Sequence, residues 1–126
     1  MKTHVDAGIF QGVQEAGIGA LQMDDAPRSA IRRIYQERRD VLIPGLQKLG
    51  FKLDPPKAAF YVWIPTSAGV SSSEMTAKLL KECAIVTTPG NGFGTQGEGY
   101  FRMTLCVSKE RLREAVDRME KAGIRG

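Results

Sequence analysis

The stretch PGNGFGTQGEGYFRMTLCV, residues 89–107, constrains the fold of this chain more than any other. Its first half carries Gly90, Gly92, Gly94, Gly97 and Gly99. A phosphate-binding glycine loop leads from a strand into a helix, whose first amides take the anion. Here the loop leads into residues 100–107, where Phe101, Met103, Leu105 and Val107 alternate with Tyr100, Arg102, Thr104 and Cys106. Alternation of period two predicts a strand with one face in a core. The loop therefore joins strand to strand, and a dinucleotide fingerprint is excluded. It is either a flexible connection or one wall of a functional cleft carried by a rigid scaffold.

The flanking segments supply what such a sheet packs against. Residues 9–21 place Ile9, Val13, Ala16 and Ala20 at helical spacing. Gly8, Gly12, Gly17 and Gly19 weaken that helix, each interior glycine costing about 1 kcal/mol against alanine, so it needs a neighbour. Asp24 or Asp25 can cap a second helix, with Pro27 in its first turn. Over residues 28–49 the stripe Ile31, Ile34, Tyr35, Val41, Leu42, Leu46 and Leu49 is amphipathic. Pro44 removes a backbone donor and predicts a kink or a division there, and Gly50 suits the position after the end. Residues 51–53 read as a short strand stopped by Pro55 and Pro56. The apolar and aromatic run of residues 59–64, in AAFYVWIP, reads as a buried strand. Ser71 and Glu74 have capping-box spacing and open a helix expected to bury Met75, Leu79, Leu80 and Cys83. Residues 84–88 read as a strand. Ser108 caps a last helix with the stripe Leu112, Ala115, Val116 and Met119, closed by Gly123. These signals predict an α+β fold, a small sheet with helices packed on one face.

Composition narrows the function classes. The 126 residues, 42% hydrophobic and 25% charged, suit one compact domain. No apolar run is long enough to cross a bilayer, and the first residues lack the pattern of a secretory signal. Cys83 and Cys106 read as reduced thiols of a cytoplasmic protein. The net charge of +4 invites a nucleic-acid partner. Its distribution argues against one: Arg32 and Arg33 are followed by Glu37 and Asp40, Arg111 and Arg113 by Glu114 and Asp117, and no aromatics interleave with a basic stripe.

Few side chains offer chemistry. Arg102 stands between apolar neighbours in a strand. It is either an arginine on the solvent face or a planar fork for a carboxylate. His4 is the single histidine, with no partners for a metal site. Cys83 lies on an apolar stripe and reads as core. No serine sits in a nucleophile elbow, and no lysine sits in a recognisable buried setting that would favour imine formation. The residues present name no catalytic group.

Three blocks taken in order carry a resemblance: YQERRDVLIPGLQKLGFK, PPKAAFYVWIP and VTTPGNGFGTQGEGYFRMTL. They resemble consecutive blocks of the pyridoxal-phosphate-dependent aminotransferases of the aspartate aminotransferase fold, class I/II. The segment from Val5 through Gln14 to Leu21 resembles the helix joining that family's two domains. The pairing of AFYVW with GEGYFRM points to the LL-diaminopimelate aminotransferase subgroup, although aspartate and alanine aminotransferases share much of it. Ala58 departs from the glycine common at that position.

The resemblance implies an organisation and a role. Residues 1–23 would be the interdomain helix, a remnant of the large domain, and residues 24–126 the C-terminal small domain. Arg102 would bind the substrate α-carboxylate. Gly90, Asn91, Gly92 and Phe93 would line the cleft beside it. The family's cofactor lysine and its phosphate-binding arginine lie N-terminal to this region, and Ser108–Lys109 is out of place for them. Pyridoxal 5'-phosphate would then be held by a missing large domain, and the isolated chain would be inactive. The intact enzyme would be a cytoplasmic homodimer, working in amino-acid and specifically lysine biosynthesis, that moves an amino group between an amino acid and a 2-oxo acid. It would bind neither nucleic acid nor membrane. The rival expectation is a free-standing, non-catalytic α+β module for carboxylate binding or dimerisation.

Overall fold

The computed structural model describes residues 8–126. His4 and Val5 lie outside the described residues. The chain divides into two compact units, one ending at Arg33 and the other Ile34–Gly126.

The first unit contains helix α1 (Gln11–Gln22), which buries none of its residues. Phe10, Val13, Ile18 and Leu21 are all exposed. Helix α2 (Asp25–Lys48) begins here. Asp25 accepts hydrogen bonds from Ser29 Oγ and Arg32 Nη2, which hold its carboxyl below the usual carboxylate range.

The second unit holds the sheet and the core. It contains strand β1 (Tyr61–Pro65), helix α3 (Ser72–Cys83), strand β2 (Thr88–Pro89), strand β3 (Tyr100–Thr104) and helix α4 (Lys109–Lys121). The strand order is β1-β3-β2, and both pairings are antiparallel. Val62 and Ile64 of β1 face Met103 and Phe101 of β3. These four side chains join Leu42, Ile43 and Leu46 of α2, Met75, Leu79 and Cys83 of α3, and Leu112 and Met119 of α4 in one cluster. The helices thus cover one face of a small sheet, as the alternating pattern requires.

Local signals explain the helix ends. Ser71 Oγ and the Glu74 carboxylate satisfy one another's backbone amides at the start of α3. The far end closes in a Schellman turn, with Ala84 N bonded to Leu80 O and Ile85 N to Leu79 O, both at 3.1 Å. Ser108 caps α4 through the Arg111 amide. The tight approach of α4 to α2 falls at Gly45: a Cβ there would lie 2.8 Å from a Val116 methyl.

Several sequence expectations are corrected. Pro44 lies inside α2 and does not divide it; Leu42, Ile43 and Leu46 anchor the helix on both sides of the proline. The stripe of α2 is buried only near its C-terminal end, and Ile31 and Ile34 are exposed. Residues 51–53 are not a strand: Phe51 N bonds back to Leu46 O in the helix-ending turn. The run of residues 59–64 is not buried throughout. The strand starts at Tyr61 and alternates, with Val62 and Ile64 buried and Trp63 42% exposed. Residues 84–88 pair only from Thr88, because Ala84 is spent on the helix cap in a left-handed conformation. Leu80 is 55% exposed, about a third of a turn beyond the buried Leu79. The ladder of β3 ends at Thr104, so Val107 leaves the alternation and is exposed.

Candidate functional site

Strand pairing builds the site on the face of the sheet turned away from the core. Residues directly opposite one another across antiparallel strands project to the same face. Arg102 pairs with Trp63 on one side and Thr88 on the other, while Tyr61 pairs with Thr104. Phe101 and Met103 point into the core, and Arg102 points out between them. One face of this three-stranded sheet is therefore apolar and filled, and the other is aromatic with a guanidinium at its centre.

The guanidinium carbon lies over two rings. Arg102 Cζ lies 3.9 Å from the Tyr61 ring centroid and 4.4 Å from that of Phe93. Each ring has a second ring beside it: Phe60 is 4.6 Å from Tyr61, and Trp63 is 5.2 Å from Phe93. Arg102 makes no ion pair among the described residues. Arg39 and Arg118, by contrast, have carboxylate partners in Asp40 and Glu114. An open cleft of about 440 Å³ lies beside the stack, lined by Trp63, Phe93, Gln96, Gly97 and Tyr100.

The glycine loop is a built object rather than a slack connection. It forms two short 3₁₀ turns, Gly90–Phe93 and Thr95–Gly97. These turns touch backbone to backbone, and a Cβ on Gly90 would lie 2.0 Å from Gly97 O. Only glycine fits such a contact. Gly90 is buried within the loop, and Asn91 Nδ2 donates to Ser73 Oγ at 3.0 Å, a bond that holds the loop to α3. Gly92 is exposed, with open space where a Cβ would stand. Phe93 is the loop residue that reaches Arg102.

Ser72 ties the loop to the scaffold. It is a fully buried polar residue on the first turn of α3. Its Oγ accepts from Gly99 N at 2.9 Å and Tyr100 N at 3.2 Å. Its own amide donates to Glu98 Oε1 at 2.8 Å. That backbone bond is the main reason the Glu98 carboxyl lies below the usual carboxylate range. The sequence points to Arg102 and Phe93 but not to Tyr61, Trp63, Ser72 or Glu98. A pairing register would have found Trp63. Nothing in the sequence separates Ser72 from its neighbouring serines, because its role depends on a loop that arrives from far along the chain.

Every described lysine is exposed, so none offers the desolvated amine that imine formation uses.

Comparison with known proteins agrees with this architecture. The model of the family "Aminotransferase class I and II" matches residues 8–119. LL-diaminopimelate aminotransferase 2 of Nostoc sp. is 50% identical over 125 residues, which is 99% of this chain and 32% of that protein. The apo-BacF structure from Bacillus subtilis superposes with a TM-score of 0.81 at 35% identity, covering 97% of this chain and 32% of that one. The LL-diaminopimelate aminotransferase from Chlamydomonas reinhardtii gives a TM-score of 0.68 at 35% identity, covering 74% of this chain and 23% of that one. The chain spans about a third of the length of the curated relatives it matches. With a family match over most of its residues and relatives at half identity, this chain belongs to the class I and II aminotransferases.

Proposed function

We propose that this chain is the small domain of a pyridoxal-phosphate-dependent aminotransferase and that Arg102 binds the α-carboxylate of its amino-acid and 2-oxo-acid substrates. Residues 1–23 would be the interdomain helix and residues 24–126 the small domain. The observation that carries the reading is a guanidinium held on the open face of the sheet, without an acidic partner among the described residues, beside a cleft. A guanidinium offers two parallel N–H donors to a carboxylate, and a bidentate pair fixes orientation as well as affinity. Holding the carboxylate orients the rest of the substrate toward a reacting centre. In the intact enzyme the Gly90, Asn91, Gly92 and Phe93 segment would wall the substrate cleft and help exclude water; of these four, Phe93 lines the cleft of this domain. Pyridoxal phosphate and its lysine are assigned to the rest of the enzyme. The identity to LL-diaminopimelate aminotransferases favours a role in lysine biosynthesis, in a cytoplasmic homodimer.

The test joins this chain to the rest of the Nostoc relative, replacing the matching third. The chimera should transfer amino groups. Arg102→Lys should lower kcat/KM for every amino-acid substrate, since all share the α-carboxylate, while the cofactor's visible absorption is retained. Near-normal turnover in that variant would reject the assignment. The isolated chain mixed with pyridoxal phosphate should retain no stoichiometric imine band after free cofactor is removed. A stable band abolished by mutating one lysine would reject the division of labour.

A further inference from the structure

We infer that Tyr61 and Phe93 are positioning residues for the carboxylate-binding arginine: a two-ring clamp that holds the Arg102 guanidinium by its faces and leaves its edge free for the ligand. The inference deepens the carboxylate reading of Arg102 and rests on it.

The geometry of a guanidinium makes this arrangement informative. All five N–H donors lie in the plane of the group, so rings stacked above and below use none of them. The Tyr61 and Phe93 centroids stand 3.9 and 4.4 Å from Arg102 Cζ, within the range where a ring face attracts a cation. The usual alternative for fixing an arginine is a carboxylate, as Glu114 does for Arg118. A protein carboxylate would occupy the very donors that a substrate carboxylate needs. The ring clamp fixes the plane without that competition. A free arginine side chain has many rotamers, and ordering them on binding weakens affinity; here that ordering is done before the ligand arrives.

The two rings come from different parts of the chain, and each is itself held. Tyr61 stands on β1 with Phe60 beside it. Phe93 stands on the glycine loop, supported edge-on by Trp63. The loop is closed by the Gly90–Gly97 contact and tied to α3 by Ser72, whose Oγ takes the Gly99 and Tyr100 amides. Phe93 remains 51% exposed and Tyr61 36% exposed. Substitutions at either ring therefore leave the core intact, and loss of folding does not obscure the result.

Two measurements test the clamp. The first is the proton spectrum of Arg102 in the chain itself. Stacking on two rings shifts its side-chain resonances upfield, and Phe93→Leu should move them part of the way back while Phe93→Tyr should not. Unshifted Arg102 resonances in the unmodified chain would overturn the clamp. Titration with sodium acetate should move the Arg102 Nε–H signal, at higher concentration in Phe93→Leu than in the unmodified chain. The second measurement uses the chimera. Phe93→Leu should raise KM for all amino-acid substrates about tenfold with a smaller change in kcat, and Phe93→Tyr should restore it, because the effect is the loss of one ring–cation contact and its ordering. If Arg102→Lys impairs the chimera but Phe93→Leu does not, the clamp is overturned and the carboxylate reading stands. If Arg102 is stacked but acetate leaves it unmoved and Arg102→Lys costs nothing, the carboxylate reading fails and the clamp's function falls with it.

Discussion

The two faces of the three-stranded sheet are made from the same strands and have opposite fates. On one, Val62, Ile64, Phe101 and Met103 are buried under three helices. On the other, Tyr61, Trp63, Tyr100 and Arg102 carry an aromatic surface with a cation at its centre. The buried face gains stability in proportion to the apolar area removed from water. The open face forgoes that gain and keeps a charge accessible. A packed core and an accessible charge are thus separated by the pleat of the strand, one residue apart, and the two faces should respond differently to substitution.

The largest effect should come from the filled face. Phe101→Ala removes a fully buried ring that packs edge-on against Phe51 at 5.9 Å. The expected loss is about 3–5 kcal/mol of stability, read as a fall in the denaturant midpoint. A loss below about 1 kcal/mol, the range of well-tolerated swaps, would show that the core closes without it.

Arg102→Lys on the open face should do the reverse. Stability of the isolated chain should stay within about 0.5 kcal/mol, as for a surface substitution. In the chimera the loss of transition-state stabilisation should be about 1.5–3 kcal/mol, the scale of one hydrogen bond to a charged group, because lysine keeps the charge and loses the planar two-donor fork. A variant that loses stability and keeps activity would invert the comparison.

Ser72→Ala sits between the faces. It leaves the Gly99 and Tyr100 amides without their acceptor, at a cost of about 1–3 kcal/mol. Trp63, the single tryptophan, reports it, since it stacks against Phe93 on the loop. The emission of Trp63 should shift to the red in Ser72→Ala. Unchanged emission would mean the loop holds without the tether.

The smallest effect is pH-dependent. Backbone bonding to Ser72 lowers the Glu98 carboxyl in the folded state. A group whose folded pKa is depressed contributes stability that is present above its unfolded value and lost as pH falls through the folded one. Acidification from neutrality should therefore loosen the loop only below the ordinary glutamate range, seen in Trp63 emission. Glu74, lowered by Ser71, titrates in the same window at the same end of α3. Glu98→Gln separates the two: it should abolish the acid step in Trp63 emission, and persistence of the step would assign it to Glu74.

Much of this was legible from short-range patterns. The capping box at Ser71 and Glu74, the Ser108 cap, and the alternation around Arg102 all depend on residues a few positions apart, and all appear in the structure. Residues 59–64 misled because periodicity cannot show that a continuous apolar run has an uncovered side. Trp63 is apolar in the sequence and half exposed on the open face. Residues 84–88 depart from the strand expectation because Ala84 and Ile85 close α3 before the ladder begins.

The sequence by itself determined the elements that local hydrogen bonding and periodicity specify: the helices, the outward turn of Arg102 relative to Phe101 and Met103, and a glycine loop that leads into a strand rather than a helix. Tertiary structure alone decided which rings stack on the guanidinium, that Gly90 must press against Gly97, and that Ser72 rather than Ser71 or Ser73 receives the loop. Tyr61 and Phe93 are separated by more than thirty residues and meet at Arg102 only through the β1–β3 pairing and the folded-back loop. Contacts of that separation depend on register and closure, which no local pattern encodes.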